Sequence, residues 1–221
     1  MISEKDHTAE VVARTMDMVD PTMSVSDIIC RDARISNPNS DGDNQRLINY
    51  LIKHNHWSPL DMVDITLHVT TTRDISRQLL RHRSFVFQEF SQRYSDDIEF
   101  AESTPPRAQH PTNRQASLPM EYPEGRWETD QDSVVSLCNL YYSMAIREGI
   151  AKEVARKLLP EGLTKTSLKM KGSVRSWVHY IQVRTDPTTQ LEHRFLANQM
   201  ANAISSVFPQ ILEFVHNDDE A

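Results

Sequence analysis

Glycine is scarce in this chain: five of 221 residues, Gly42, Gly125, Gly149, Gly162 and Gly172, with no two closer than ten positions. The G-x-G-x-x-G turn and the Walker loop both need clustered glycines to bring backbone amides against a phosphate, so both are excluded. A nucleotide bound here has to be held by side chains. Cysteine is scarcer still. Cys30 and Cys138 lie in apolar, helical contexts with no C-x-x-C pair, which argues against a disulfide framework or a thiolate metal site and for two core thiols. No apolar run approaches the length of a membrane span. Near the start of the chain, Glu4, Asp6 and Glu10 replace the basic-then-apolar pattern of a signal peptide, so the expectation is a cytoplasmic protein away from membranes. The hydrophobic share of 38% is that of a globular chain rather than a disordered one, and the length suffices to bury a core. Nothing forces a split, so residues 1–221 are read as a single domain.

Against a formal net charge of -7, residues 81–93 (RHRSFVFQEFSQR) concentrate the guanidiniums of Arg81, Arg83 and Arg93, the His82 imidazole, the Glu89 carboxylate and the Ser91 hydroxyl. A local cationic cluster on an acidic chain points to a pocket for one small anion, since a nucleic-acid footprint would make a whole face basic. Arginine offers a planar fork of donors that grips phosphate or carboxylate through two parallel bonds.

Apolar spacing predicts helices over 25–35 and 45–54, and alternation of Val63, Ile65, Leu67 and Val69 predicts a strand from Met62 to Thr72. A helix over Asp74–Arg83 would put Gln78, Arg81 and His82 on one polar face. An extended segment after Arg83 would point Glu89, Ser91 and Arg93 the same way. Residues 101–130 hold five of the eleven prolines and show no period, so they read as a long surface loop. Asp132–Leu159 reads as a helix weakened at Gly149, Thr164–Lys171 as a second strand, and Ser173 as the cap of a helix buried on Val174, Trp177, Val178 and Ile181. That helix carries Arg175 and His179 on its polar face and Arg184 at its end. A last helix over 189–216, kinked at Pro209, precedes an acidic tail at 217–221. The fold class is α+β: an antiparallel or mixed sheet packed with several helices.

Three chemistries compete for these residues. In the first, Gln78 hydrogen-bonds a pyrimidine edge while Arg81, Arg93 and Ser91 hold a phosphate, and the phenylalanines at 85, 87 and 90 bury the arginines so that they require an anion. In the second, His54, His56, Asp61 and His82 ligate a metal, although His-x-His needs a close third ligand. The third makes Ser91 a nucleophile with Glu89 as its base, a weak base if the arginines stabilise its charge.

The segment Arg81-His82-Arg83, seven further residues and Ser91, followed by Gln92-Arg93-Tyr94, resembles the signature of the flavin-dependent thymidylate synthases. Four more blocks resemble that family in its order: 33–36 (ARIS), 54–59 (HNHWSP), 154–160 (VARKLLP) and 175–184 (RSWVHYIQVR). The resemblance runs from about Ile28 to Arg184 and leaves the 101–130 loop outside it. It implies reductive methylation of dUMP to dTMP, with 5,10-methylenetetrahydrofolate as carbon donor and NADPH reducing a bound FAD. It also implies a homotetramer whose active sites are shared between subunits. By position, Ser58, Arg81, His82, Arg83, Glu89, Ser173, Val174, Arg175 and His179 would hold FAD. Gln78, Leu79, Leu80, Arg81, Glu89, Phe90, Ser91, Gln92, Arg93, Arg156 and Arg184 would hold dUMP. Arg184 is the choice for the fixed cation that stabilises charge on the pyrimidine, with no protein thiol attacking the ring. The chain departs from the common pattern at Gln88 (often Asn), Val86 (often Ser) and Ser173 (often Asn). A module that binds the nucleotide without turning it over, or a metal-dependent nucleotide hydrolase, stays open beside the enzyme; flavin uptake and chelator sensitivity separate them.

Overall fold

The structure is a computed structural model that describes residues 3–37 and 42–216; the 217–221 tail lies outside the described residues. Strand β1 (Thr8–Arg14) is followed by helices α1 (Val25–Ser36) and α2 (Asn44–Lys53), a 3-10 turn at Ser58–Met62, strand β2 (Asp64–Thr72) and helix α3 (Arg73–Leu79). Next come β3 (Val86–Glu89), the hairpin β4 (Arg107–Gln109) and β5 (Ser117–Pro119), α4 (Arg126–Arg147) and α5 (Lys152–Ala155). The long strand β6 (Lys165–Ser173), α6 (Val174–Arg184) and α7 (Leu191–Ser205) complete the order.

The main sheet runs β1-β2-β6-β3 and every pairing in it is antiparallel. Period-2 alternation sets its two faces. Ile65, Leu67 and Val69 of β2, with Leu168 and Met170 of β6, are buried against the helices, while Asp64, Thr66, His68, Lys169 and Lys171 face outward. Each of the buried aliphatic side chains is worth roughly 1.5–3 kcal/mol on leaving water. β2 and β6 both run straight into a helix, β2 into α3 and β6 into α6, so the two helices start at opposite ends of the sheet. Trp177 anchors α6 to the sheet by donating its indole N–H to the Ile65 carbonyl at 3.0 Å.

Gly172 is the contact point for Phe85. A Cβ built there would lie 2.5 Å from the Phe85 ring, which is itself wedged edge-on against Trp177 with centroids 4.7 Å apart. Overpacking at such a site costs about 1–3 kcal/mol. Gly172→Ala should lower the denaturant midpoint accordingly at an unchanged slope, and a wild-type midpoint would show that the ring can move aside.

The expected strands at 62–72 and 164–171, the helices at 25–35 and 45–54, and the buried stripe of α6 are present within a residue or two. Strand β1 has no counterpart among the expectations, and three of them need correction. Residues 101–130 are not loop throughout, because they contain the β4–β5 hairpin and the first turns of α4. The helix expected over Asp132–Leu159 ends at Arg147: Gly149 takes a left-handed φ of 84°, and the Ile150 N–H donates to the Ala145 carbonyl, closing the helix end. The helix expected over 189–216 is two pieces. Pro209 forces Phe208 out of helical conformation (φ −142°, ψ 84°) and starts a separate 3-10 turn, Pro209–Phe214. Cys30 is buried as expected, whereas Cys138 is only half-buried on α4. None of the helices among the described residues is long and apolar enough to cross a membrane.

Candidate active site

The helix expected to carry Gln78, Arg81 and His82 on one face stops at Leu79, so the three diverge. The Arg81 and His82 N–H groups donate to the Gln78 and Leu79 carbonyls in a tight turn. Arg81 and Arg83 are exposed, and neither side chain makes a hydrogen bond or ion pair with the described residues. His82 is turned inward. Its Nε2 accepts from Arg184 Nε at 3.0 Å, which fixes the imidazole proton on Nδ1 because a guanidinium only donates. Arg184 is the last residue of α6, and its two terminal nitrogens have no partner among the described residues. The Tyr180 ring lies 5.0 Å from His82, and its hydroxyl is 3.0 Å from His193 Nε2. His193 Nδ1 is 3.0 Å from Gln78 Oε1. Three of the candidates, Gln78, His82 and Arg184, are thus brought together by the fold around Tyr180 and His193, two residues not among the candidates.

Burial, and then the Arg184 charge, push the His82 pKa down to about 4. Burial likewise lowers His193 to about 3 and lowers His7. Each of these groups is protonated more readily in the unfolded chain, where its pKa is near 6.5. Stability from keeping them neutral is complete above about pH 6.5 and is lost as pH falls toward 4, because the unfolded state then binds more protons. The thermal midpoint should fall steeply across that window; a flat midpoint would contradict the buried neutral histidines.

Glu89 organises a second group. It accepts from the Ser76 hydroxyl at 2.6 Å and from the Thr166 hydroxyl at 3.1 Å, with Arg73 and Arg77 at 4.0 and 3.7 Å. Ser91 does not contact it: the Ser91 oxygen accepts from the Arg93 N–H, which leaves the hydroxyl proton free but gives no nucleophile–base pair. The extended run expected to Arg93 breaks after β3, where the Tyr94 N–H donates back to the Ser91 carbonyl. Arg93 therefore leaves the line of Glu89 and Ser91 and meets Glu153 at 3.6 Å. The arginines expected to be buried by the phenylalanines are exposed; the buried guanidinium is Arg73, whose Nη1 has no hydrogen-bond partner. Arg156 is near enough to depress the Arg73 pKa, after burial has done most of that work. The buried Gln92 amide nitrogen is also unpartnered. Buried donors without partners are costly, and a ligand oxygen beside either one would relieve that cost. Of the remaining nucleotide candidates, Leu79 is in the core, Leu80 is half-buried, and Phe90 and Ser91 line a hollow of about 420 Å³ beside Glu89.

A third group flanks α6. Asp61 pairs with Arg175 at 2.8 Å and accepts from the Ser173 hydroxyl at 2.9 Å. The Ser173 oxygen in turn caps α6 by accepting from the Ser176 N–H. Serine and asparagine are comparable N-caps, so the departure at 173 keeps this local geometry. Val174 is buried, its N–H taken by the Val63 carbonyl, and Ser58 is exposed at the start of the 3-10 turn. A cleft of about 600 Å³ runs along Asn55, Trp57, Asp61, Ser84, Arg175 and His179. It has the size of a cofactor pocket, one aromatic wall and several donors, and so fits an elongated, phosphate-bearing ligand without a glycine loop. The four proposed metal ligands have other contacts: Asp61 with Arg175, His82 with Arg184, and His54 and His56 in tilted and edge-on ring contacts with Tyr50. Among the described residues no group of three or more His, Cys, Asp or Glu side chains is placed to hold a metal ion.

A model of the family described as thymidylate synthase complementing protein matches residues 2–210 of the chain. Over 193 residues, 86% of this chain and 88% of the relative, the sequence is 45% identical to the flavin-dependent thymidylate synthase of Synechocystis sp.. It is 39% identical over 209 residues to the probable flavin-dependent thymidylate synthase of Paramecium bursaria Chlorella virus 1, covering 92% of this chain and 96% of that protein. A Thermus thermophilus flavin-dependent thymidylate synthase is 32% identical over 170 residues, 74% of this chain and 60% of its own length.

Proposed function

Because the chain belongs to the flavin-dependent thymidylate synthase family, we propose that it methylates dUMP reductively to dTMP, with 5,10-methylenetetrahydrofolate as carbon donor and NADPH-reduced FAD as hydride source. One observation carries this reading: Arg184 is fixed by His82 through Nε while both of its terminal nitrogens are left for a ligand. Methylating C5 of uracil builds negative charge on the ring, and a preorganised cation beside a ring carbonyl stabilises that charge as it develops. Holding the His82 imidazole neutral keeps a second positive charge from pushing Arg184 away. Gln78 meets the pyrimidine edge, and Arg81, Arg93, Arg156 and the Ser91 hydroxyl take the phosphate, with Leu79, Leu80, Glu89, Phe90 and Gln92 closing around the nucleotide.

Ser58, Arg81, His82, Arg83, Glu89, Ser173, Val174, Arg175 and His179 would hold FAD, Asp61 keeping Arg175 oriented at the cleft. The bound flavin supplies the hydride. The protein's own part is to orient nucleotide, flavin and folate and to stabilise charge, and neither Cys30 nor Cys138 takes part.

The exposed Arg81 and Arg83 gain their ligand environment on assembly into a cytoplasmic homotetramer with shared sites. The feature that supports assembly is the outer face of α4, where Val134, Leu137, Leu140, Tyr141 and Met144 are 41–54% exposed. Sedimentation should report four chains, and Leu137→Glu should reduce that mass.

Anaerobic incubation with NADPH, methylenetetrahydrofolate and dUMP tests the whole reading. dTMP should form only when FAD is present, and dTMP formed equally without flavin, or none with it, would overturn the assignment.

A further inference from the structure

A directional chain of hydrogen bonds leads from Gln78 to a carboxylate. Glu192 is buried, yet hydrogen bonds from Arg107 (2.5 Å), the backbone and Gln190 outweigh the effect of burial and keep it ionised. An ionised carboxylate only accepts. Gln190 must therefore turn its Nε2 to Glu192 Oε2, at 3.1 Å, and offer its Oε1 to Gln78. Gln78 must then donate from Nε2 to Gln190, at 2.7 Å, and turn its Oε1 to His193 Nδ1, at 3.0 Å. That contact requires the His193 proton on Nδ1, which makes Nε2 the acceptor of the Tyr180 hydroxyl at 3.0 Å. Two amides, an imidazole and a phenol could each point either way in isolation. Tied to one carboxylate, all four have a single orientation.

The consequence falls on Gln78. Its oxygen is turned toward the fully buried His193, and one of its two amide protons is spent on Gln190. The half-buried side chain has one N–H left for a ligand. We propose that His193, Gln190 and Glu192 are positioning residues that lock the Gln78 amide as a donor, so that the site accepts a pyrimidine with a carbonyl at that edge and rejects one with an amino group there. This inference rests on reading Gln78 as a pyrimidine contact. Uracil and cytosine differ at C4 in this way, and a donor facing a donor leaves both unpaired in a desolvated site, which discriminates far more strongly than a difference in size. Neither Tyr180 nor His193 touches the ligand in this scheme.

The test titrates FAD-loaded protein with dUMP, dCMP and base-free 2-deoxyribose 5-phosphate. In His193→Leu, Gln78 loses its inward donor; in Gln190→Met, the chain loses its connection to the carboxylate, and the Gln78 amide becomes free to turn over. Each variant should lower the dUMP-to-dCMP affinity ratio by about tenfold or more, as expected for one lost or mispaired hydrogen bond. Binding of deoxyribose phosphate should stay constant. His193→Asn, whose Nδ2 occupies the position of the imidazole Nδ1, should restore the ratio. If burying leucine prevents folding, Gln190→Met decides alone, since Gln190 is only half-buried. An unchanged ratio in the folded variants overturns the inference, as does an equal loss for all three probes, which would mark general distortion. Wild-type protein that binds dUMP and dCMP equally overturns it alone. Wild-type protein that binds no dUMP removes the reading of the site as well.

Discussion

Arg184→Ala should lower kcat for dTMP formation about 10²–10³-fold, the range for losing one preorganised donor from a charge-stabilising site, while flavin content stays near that of the wild type. Apart from Glu89, the proposed flavin contacts lie along the Asp61 cleft and the 81–83 turn, and among the described residues Arg184 is hydrogen-bonded to them through His82. The substitution also leaves a signature that a folding defect would not. Part of the depression of His82 to about 4 comes from the Arg184 charge, so the His82 pKa should rise in the variant while burial still holds it under 6.5. Arg184→Lys keeps a charge but loses both the Nε bond to His82 and the planar fork, and should fall between the two. Wild-type turnover in Arg184→Ala would remove this residue from the chemistry.

How much of this could be read from the chain depends on whether a feature was local. β2 was legible because four aliphatic residues alternate on a face that is buried, and α6 because Ser173 caps a clean apolar stripe. β1 was not, since its apolar residues are small, it lies at the sheet edge, and only pairing with β2 makes it a strand. The β4–β5 hairpin has three residues per strand and leans on the Gln109 amide donating to the His110, Asn113 and Ala116 carbonyls, a pattern without a hydrophobic period. The motifs nominated Gln78, His82 and Arg184 as candidates but could not show that Arg81 and Arg83 are exposed in the single chain. His193 and Glu192 lie more than a hundred residues from Gln78 and inside an apolar helical pattern, where a histidine reads as ordinary core. Arg73 was hidden at a strand-to-helix junction. The signal for it is the lack of any loop between β2 and α3, which holds the first helical residue beside the start of β6, the Arg73 N–H donating to the Thr164 carbonyl.

The other large effect is expected at Glu89. Glu89→Ala should cost about 3 kcal/mol of stability, because it strands the buried Arg73 guanidinium without the carboxylate that compensates it. Ser76 and Thr166 would lose their shared acceptor in the same step. Glu89→Gln, which keeps an oxygen for one hydroxyl, should lose less. Adding Arg73→Met to Glu89→Ala should recover much of the loss, since replacing both charges by an apolar pair is often close to neutral. Urea denaturation of the four proteins decides the matter, and a Glu89→Ala midpoint equal to that of the wild type would mean Arg73 finds enough water to do without its partner. The arrangement also bears on ligand binding. Arg77 and Arg156 act on Arg73 against the carboxylates of Glu89 and Glu161, and the Arg73 Nη1, 4.0 Å from Glu89, has no hydrogen-bond partner among the described residues. Such a group is short of negative charge, and a nucleotide phosphate would supply it. Saturating dUMP should therefore raise the wild-type midpoint in proportion to the logarithm of its concentration over Kd, and raise that of Arg73→Met less.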